Sequence, residues 1–253
     1  MQLTLEGKAL DQEAIEFIQQ NEPADGYTVC YSGGKDSDVV LDLVKRAGVK
    51  HKAEYYWTTI DPPQVVYHTK ADHPDVQIIK PEYTMWELIA KKGFLPSRRI
   101  RFCCDYLKER HSKGNYYITG VRAAESKARS TRPRINLYRG STHIRPILSW
   151  SDSAVWEYIF DRNLPFCELY KEGFKRLGCI GCPMTGKEQV KFEFEFFPKH
   201  RLMWLHACER LYEAGKVDKF DNGKAYFEHW IEQRKLSNQC QFSMFEEVME
   251  LKI

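Results

Sequence analysis

Apolar residues in this chain alternate between short continuous runs and stripes with helical spacing, an order that predicts an α/β protein. Leu10, Ala14, Phe17 and Ile18 share a helical face, so a helix is expected over residues 9–20, ended by Asn21-Glu22-Pro23. The run Tyr27 to Tyr31 predicts a first strand, and Val40, Leu43, Val44 and Ala47 a helix behind it, closed by Gly48. Lys52 to Thr59 is β-branched and aromatic and predicts a second strand, after which Asp61-Pro62-Pro63 opens a short helix. Val76 to Ile79 predicts a third strand. Thr84 and Glu87 form a capping box for a helix from Met85 to Lys92, which Gly93 ends. Tyr116 to Thr119 predicts a fourth strand, and a last sheet element is expected between Ile135 and Ile147, interrupted by Arg139-Gly140. Ser151 caps the next helix, with Trp150 stapled on Val155.

Beyond Leu164-Pro165 the rhythm becomes helical only. Trp204, Cys208, Leu211 and Tyr212 form one stripe, Phe227, Trp230 and Ile231 a second, and Phe245, Val248 and Met249 a third behind a Ser243/Glu246 cap. The expected fold is a doubly wound, mainly parallel sheet with a C-terminal helical region. The expected organisation is an α/β domain over residues 1–165 and a helical region with a cysteine motif over 166–253.

With 253 residues the chain can bury a substantial core, and its net charge of +3 neither requires nor excludes nucleic acid as a partner. The N-terminal residues lack a basic start followed by an apolar core, and no stretch approaches the length that spans a bilayer. A cytosolic protein without a membrane partner is expected.

The first strand runs into Ser32-Gly33-Gly34-Lys35-Asp36-Ser37 at a helix start. Two glycines there let main-chain amides point at an anion, the helix dipole attracts it, and Ser32, Ser37 and Lys35 add donors and charge. Asp36 would repel a phosphate unless a cation lies between them, which points to Mg²⁺. The spacing is not that of the common nucleotide loop, which has four residues between its first glycine and Gly-Lys-Ser/Thr. The second strand ends at Thr58 and Thr59, placed to meet an adenine or ribose, although both also simply suit a strand. The fourth ends at Gly120 and leads to Arg122, Glu125, Ser126 and Arg129, where guanidinium groups suit oxyanions.

Eight cysteines that include an adjacent pair and one C-x-x-C do not resemble a disulfide framework in a chain of this size. Neighbouring thiolates reach a single tetrahedral zinc only with strain but readily serve two irons of one cluster. Cys103, Cys104, Cys179 and Cys182 are therefore candidate [4Fe–4S] ligands, with zinc as second choice. Arginines and lysines over residues 96–111 would offset the cluster's charge, while Cys30, Cys167, Cys208 and Cys240 read as core thiols.

The S-G-G-K-D-S loop, the Cys-Cys followed by Leu107-Lys108, Gly120-x-Arg122-x-x-Glu125-Ser126 with Arg129, the Arg145-Pro146-Ile147 to Trp156 segment and Gly178-Cys179-x-x-Cys182-Pro183 together resemble the PAPS reductase-like branch of the PP-loop ATP pyrophosphatases. The resemblance covers residues 25–185 and implies a bound adenine nucleotide. The paired cysteines resemble the iron–sulfur ligands of adenylyl-sulfate reductases and of DNA phosphorothioation enzymes. The sequence departs from the reductases in keeping an intact loop and in lacking a Cys-Gly-Leu/Ile-His tail, since Cys240 is followed by Gln241-Phe242. Three readings follow. The first is an enzyme that attacks the α phosphate of ATP and supports transfer from a sulfur donor, with Lys35, Asp36, Arg122 and Arg129 as catalytic groups. The second is a reductase of adenylyl sulfate or PAPS served by a thioredoxin-like protein through Cys240. The third is a non-catalytic nucleotide-binding accessory protein whose Arg129 to Arg139 segment binds a polyanion.

Overall fold

The structure, a computed structural model, describes residues 7–109 and 114–234. In chain order it runs α1 (Leu10–Gln20), β1 (Tyr27–Tyr31), α2 (Lys35–Ala47), β2 (His51–Tyr56), α3 (Pro63–Asp72), β3 (Val76–Ile79), α4 (Met85–Lys92), α5 (Phe102–Leu107), β4 (Tyr116–Ile118) and α6 (Lys127–Ser130). The hairpin β5 (Ile135–Tyr138) and β6 (Ser141–Ile144) follows, then α7 (Asp152–Asp161), α8 (Lys187–Phe196), α9 (Pro198–Glu213) and α10 (Gly223–Glu232). The six strands form one sheet in the order β3-β2-β1-β4-β6-β5, parallel except for the edge strand β5. Strand order reverses between β1 and β4, so the crevice at their carboxyl ends is where a sheet of this kind takes a ligand.

β1 reads as an unbroken run because both of its faces are covered: Tyr27, Thr28, Val29 and Tyr31 are all buried. The predicted caps are present. Gly48 and Gly93 adopt left-handed φ values of 68° and 77°, and Thr84 and Glu87 exchange capping bonds. Ser151 accepts from the Ala154 N–H. Arg139 and Gly140, with φ of 51° and 81°, make the tight turn between β5 and β6, so the last sheet element is a hairpin.

β2 stops at Tyr56, short of the expected Thr59. The chain leaves the strand because the Asp61 carboxylate accepts the Thr58 N–H at 2.7 Å and Thr59 takes a left-handed φ of 66°. Tyr212 was expected on a buried stripe but is 38 % exposed, since it lies at the margin of the face set by Trp204, Cys208 and Leu211. The third stripe and Cys240 lie outside the described residues. One apolar core runs from Ala14 and Ile18 through β1 and α2 to Phe194, Trp204 and Trp230, without a break at residue 165. Among the described residues no helix is long and apolar enough to cross a membrane.

Candidate active site

β1 delivers the chain to Ser32, and the backbone then turns through Gly33 at a φ of 69°. A Cβ at Gly33 would stand 2.5 Å from Val65 Cγ1 on α3, so both backbone angle and space demand glycine here. Ser37, in the first turn of α2, ties the loop together. Its hydroxyl donates to the Gly34 carbonyl at 2.7 Å and accepts the N–H groups of Ser32 and Gly34 at 3.2 and 3.1 Å. The Lys35 N–H donates to the Tyr170 hydroxyl at 3.0 Å. Two neutral oxygens thus hold three main-chain donors at the positive end of α2, where a phosphate oxygen is the stronger acceptor.

The side chains beside the loop form a buried charge cluster. Lys35 is 4 % exposed, with its ammonium 3.2 Å from Asp152 and 3.7 Å from Asp36, over the rings of Tyr170 and Trp156. Arg122 donates through Nε to Asp36 at 2.5 Å, through Nη2 to Asp152 at 2.7 Å and through Nη1 to the Trp150 carbonyl at 3.3 Å. Burial alone would lower the Arg122 pKa, but the Asp36 and Asp152 carboxylates outweigh it and raise it. Two cations and two carboxylates cancel. Asp36, expected to meet Mg²⁺, is thereby committed to Arg122 and Lys35, and Asp152 to the same pair. Both cations meet Asp152 through Oδ1, and the Asp36 and Asp152 side chains keep 22 and 38 % of their surface exposed.

Gly120, just after β4, fits because a Cβ there would sit 2.7 Å from the Asp36 carbonyl, so the glycine lets the end of β4 approach the first turn of α2. Glu125 accepts the Arg122 N–H at 3.0 Å and pairs with Arg129, while Ser126 stands exposed at the start of α6. These residues shape the segment that presents Arg122. Thr58 faces the cysteines, with its hydroxyl 3.3 Å from Cys179 Sγ, whereas the Thr59 hydroxyl accepts the Met85 N–H at 3.0 Å at the head of α4.

Cys103 and Cys104 lie on α5, and Cys179 and Cys182 on a turn anchored to the loop after β2, where the Ile180 N–H donates to the Ile60 carbonyl at 2.9 Å. The two pairs meet. The Cys103 thiol feels the charges of Cys104, Cys179 and Cys182, and the Lys108 ammonium hydrogen-bonds Cys179. A hydrogen bond from Cys103, reinforced by Lys108 and Arg101, draws the Cys104 thiol down to about 6. Burial pushes Cys179 up to about 12 against the pull of Lys108.

The turn itself is held from beneath. The Gly181 N–H donates to Glu193 at 2.9 Å, Trp204 donates to the Ile180 carbonyl at 3.1 Å, and Arg234 donates to the carbonyls of Gly181 and Cys182. Gly181 has a φ of 73°, and a Cβ there would lie 2.6 Å from Trp204 Nε1. Burial raises Glu193 to about 7, with the Gly181 amide and Arg234 opposing.

The family model of the phosphoadenosine phosphosulfate reductase domain matches residues 26–185, which is more than half of the chain and holds both the loop and all four cysteines. The chain belongs to the PAPS reductase family. Its relatives include an uncharacterised protein of Methanocaldococcus jannaschii, 31 % identical over 213 residues, or 77 % of this chain and 44 % of that one. An adenosine 5′-phosphosulfate reductase of Oceanobacillus iheyensis is 29 % identical over 184 residues, covering 67 % of this chain and 77 % of that one. The chain spans about half the length of the two archaeal relatives it matches, 44 % and 47 %. Among solved structures, the phosphoadenylyl-sulfate reductase of Candida auris in its phosphate complex shares the fold. Its TM-score is 0.51 at 20 % identity, over 71 % of this chain and 97 % of that one.

Within this PAPS reductase family member the expected loop residues, Arg122 and the four cysteines come together along neighbouring strand ends. Asp152 and Tyr170 were not foreseen. An acidic residue in the first turn of a helix ordinarily serves the dipole, as Asp152 does in α7, and nothing in its neighbourhood of sequence points across to Lys35. Tyr170 sits in a short turn without periodicity.

Proposed function

We propose that this protein binds ATP in the crevice between β1 and β4, breaks it at the α phosphate and supports sulfur transfer beside the cysteine quartet. The observation that carries this reading is one of placement. The Thr58 hydroxyl touches Cys179 at the end of β2, the strand that neighbours β1 and its phosphate loop. An acceptor oxygen attacks the α phosphorus, and the bridging oxygen departs on pyrophosphate with the bonding pair. The N–H groups of Ser32, Gly34 and Lys35 exchange their hydroxyl partners for the oxygens of the leaving pyrophosphate. Lys35 and Arg122 face the growing charge as Asp36 and Asp152 share them with it, and Arg129 steadies the segment through Glu125.

The donor set fits an iron–sulfur cluster. Among the described residues no three cysteine sulfurs lie within 4.8 Å of one another, whereas the bonds of about 2.3 Å in a tetrahedral zinc–thiolate site would hold them at about 4 Å. Cys103, Cys104, Cys179 and Cys182 would hold a [4Fe–4S] group, which supplies a place for a sulfur atom or an electron. Lys108 and Arg101 offset its negative charge.

The likeness to adenosine 5′-phosphosulfate reductases favours a second reading, sulfite formation with a thioredoxin-like partner through Cys240. One experiment separates the two. Anaerobically purified protein is assayed for iron and sulfide, for pyrophosphate from ATP with candidate sulfur acceptors, and for sulfite from adenylyl sulfate and PAPS with thioredoxin. Pyrophosphate with four irons per chain supports the first reading. Sulfite lost in Cys240→Ala replaces it with the second, and intact ATP with neither product leaves an accessory nucleotide-binding role.

A further inference from the structure

Behind the phosphate loop three buried side chains from two helices converge. Asp38 lies in the first turn of α2, His68 within α3 and His73 at the cap that ends α3. They are 1, 6 and 8 % exposed. The Asp38 carboxylate oxygen, one imidazole nitrogen of His68 and one of His73 lie within 4.8 Å of one another, the sole such grouping of three among the described residues. His68 Nε2 stands 3.3 Å from both carboxylate oxygens of Asp38, and His73 Nε2 stands 3.3 Å from Oδ1.

Those separations are informative. A charge-assisted N–H···O bond closes to about 2.7–2.9 Å. Bonds of about 2.0–2.1 Å to a tetrahedral zinc instead set neighbouring ligand atoms about 3.3–3.4 Å apart, which is the spacing seen here. His73 Nε2, on a residue more than nine-tenths buried, meets Asp38 Oδ1 at 3.3 Å without hydrogen-bond geometry. A buried imidazole nitrogen held beside a carboxylate but outside hydrogen-bond geometry is costly unless something between them engages both lone pairs.

The surroundings match those of metal ligands. His68 Nδ1 is 2.8 Å from Asp72 Oδ2, the carboxylate–histidine arrangement that fixes a ligating imidazole with Nε2 facing the ion. The Tyr31 hydroxyl donates to Asp38 Oδ1 at 2.6 Å and so orients the carboxylate. The His68 and His73 rings meet edge to face at 5.1 Å.

We infer that Asp38, His68 and His73 form a binding site for one divalent first-row transition ion, zinc foremost, through one carboxylate and two imidazole Nε2 atoms. Two histidines and a carboxylate are donors of the borderline hardness that zinc and its neighbours take. The ion would pin α2 to α3. It would sit three residues beyond Lys35, and the Gly33 pocket is lined by Val65 and Thr69 of the same α3, so the site braces the back of the phosphate loop.

The full-length protein is stripped with a chelator under anaerobic conditions, then titrated with Co²⁺ and, separately, with Zn²⁺. Cobalt on the cysteines gives sulfur-to-metal charge-transfer absorption, whereas cobalt at Asp38, His68 and His73 gives ligand-field bands without it. One nitrogen- and oxygen-ligated ion per chain is expected, bound at least about tenfold more weakly in His73→Gln and about 10- to 100-fold more weakly in Asp72→Asn, with unchanged circular dichroism. Should a variant fail to fold, zinc-edge X-ray absorption of the wild type decides, with imidazole scattering expected alongside sulfur. Cobalt or zinc bound by sulfur alone, or undiminished nitrogen-ligated binding in both folded variants, would overturn the site and leave Tyr31, Asp38, His68 and Asp72 as a metal-free hydrogen-bonded chain.

Discussion

The phosphate loop and the cysteine turn solve the same problem, holding a strained backbone beside a charged group, by opposite means. The loop is closed mostly by its own neighbours, with Ser37 gathering the N–H groups of Ser32 and Gly34. The cysteine turn borrows nearly everything: Glu193 from α8, Trp204 from α9, Arg234 after α10 and Ile60 from the loop between β2 and α3. Each contains one glycine at a left-handed φ against a crowding side chain, Gly33 against Val65 and Gly181 against Trp204. The contrast is between a site written into a few consecutive residues and one that exists only after the chain has folded.

Exchanging those glycines is the harshest way to break the comparison. Gly33→Ala and Gly181→Ala should each cost about 3 kcal/mol or more in urea unfolding, from left-handed strain and from a methyl group with no room. Their functional losses should separate, nucleotide binding in the first and iron content in the second; loss of both functions in both variants would show one cooperative unit instead.

A milder probe is the pH dependence of the cysteine turn. Glu193 has its pKa raised by burial from 4.5 to about 7, so its contribution to stability is fully present below about 4.5 and is lost as pH rises through 7. The free energy of unfolding should fall across that window by an amount on the order of 2 kcal/mol. Glu193→Gln, which keeps an acceptor for the Gly181 N–H, should flatten the fall, and the loop's nucleotide affinity should not follow it.

The gentlest is Asp152→Asn. It removes one of two anions that share Lys35 and Arg122, so a phosphate meets a net positive cluster. Because Asp152 is more than a third exposed, the gain is about 1 kcal/mol, roughly fivefold tighter nucleotide by calorimetry, diminishing with added salt. An unchanged affinity would place the nucleotide away from Lys35.

What could be read from the sequence follows the same division. Gly48, Gly93 and Thr84 act on residues within one helical turn, so their roles were legible, as was the strand–loop–helix unit around Ser32 to Ser37. Cys103 and Cys104 stood out by adjacency, yet the helix that carries them was not foreseen, because six residues are too few to show a period. Asp152 and Tyr170 reach Lys35 from 117 and 135 positions away, and Asp38 meets His68 across 30; no local rhythm encodes such encounters. The Asp36 carboxylate was read from its neighbours as a magnesium ligand, and its distant partner Arg122 could not be seen from them.

The indole of Trp204 lies against that of Trp230 at 4.7 Å and edge-on to Trp86 at 5.3 Å, while its own N–H reaches the main chain between Cys179 and Cys182. Ultraviolet emission from this trio therefore comes from directly under the sulfurs. Any coloured metal centre seated above it would quench that light, which turns ordinary fluorescence into a continuous gauge of how much of a preparation is loaded.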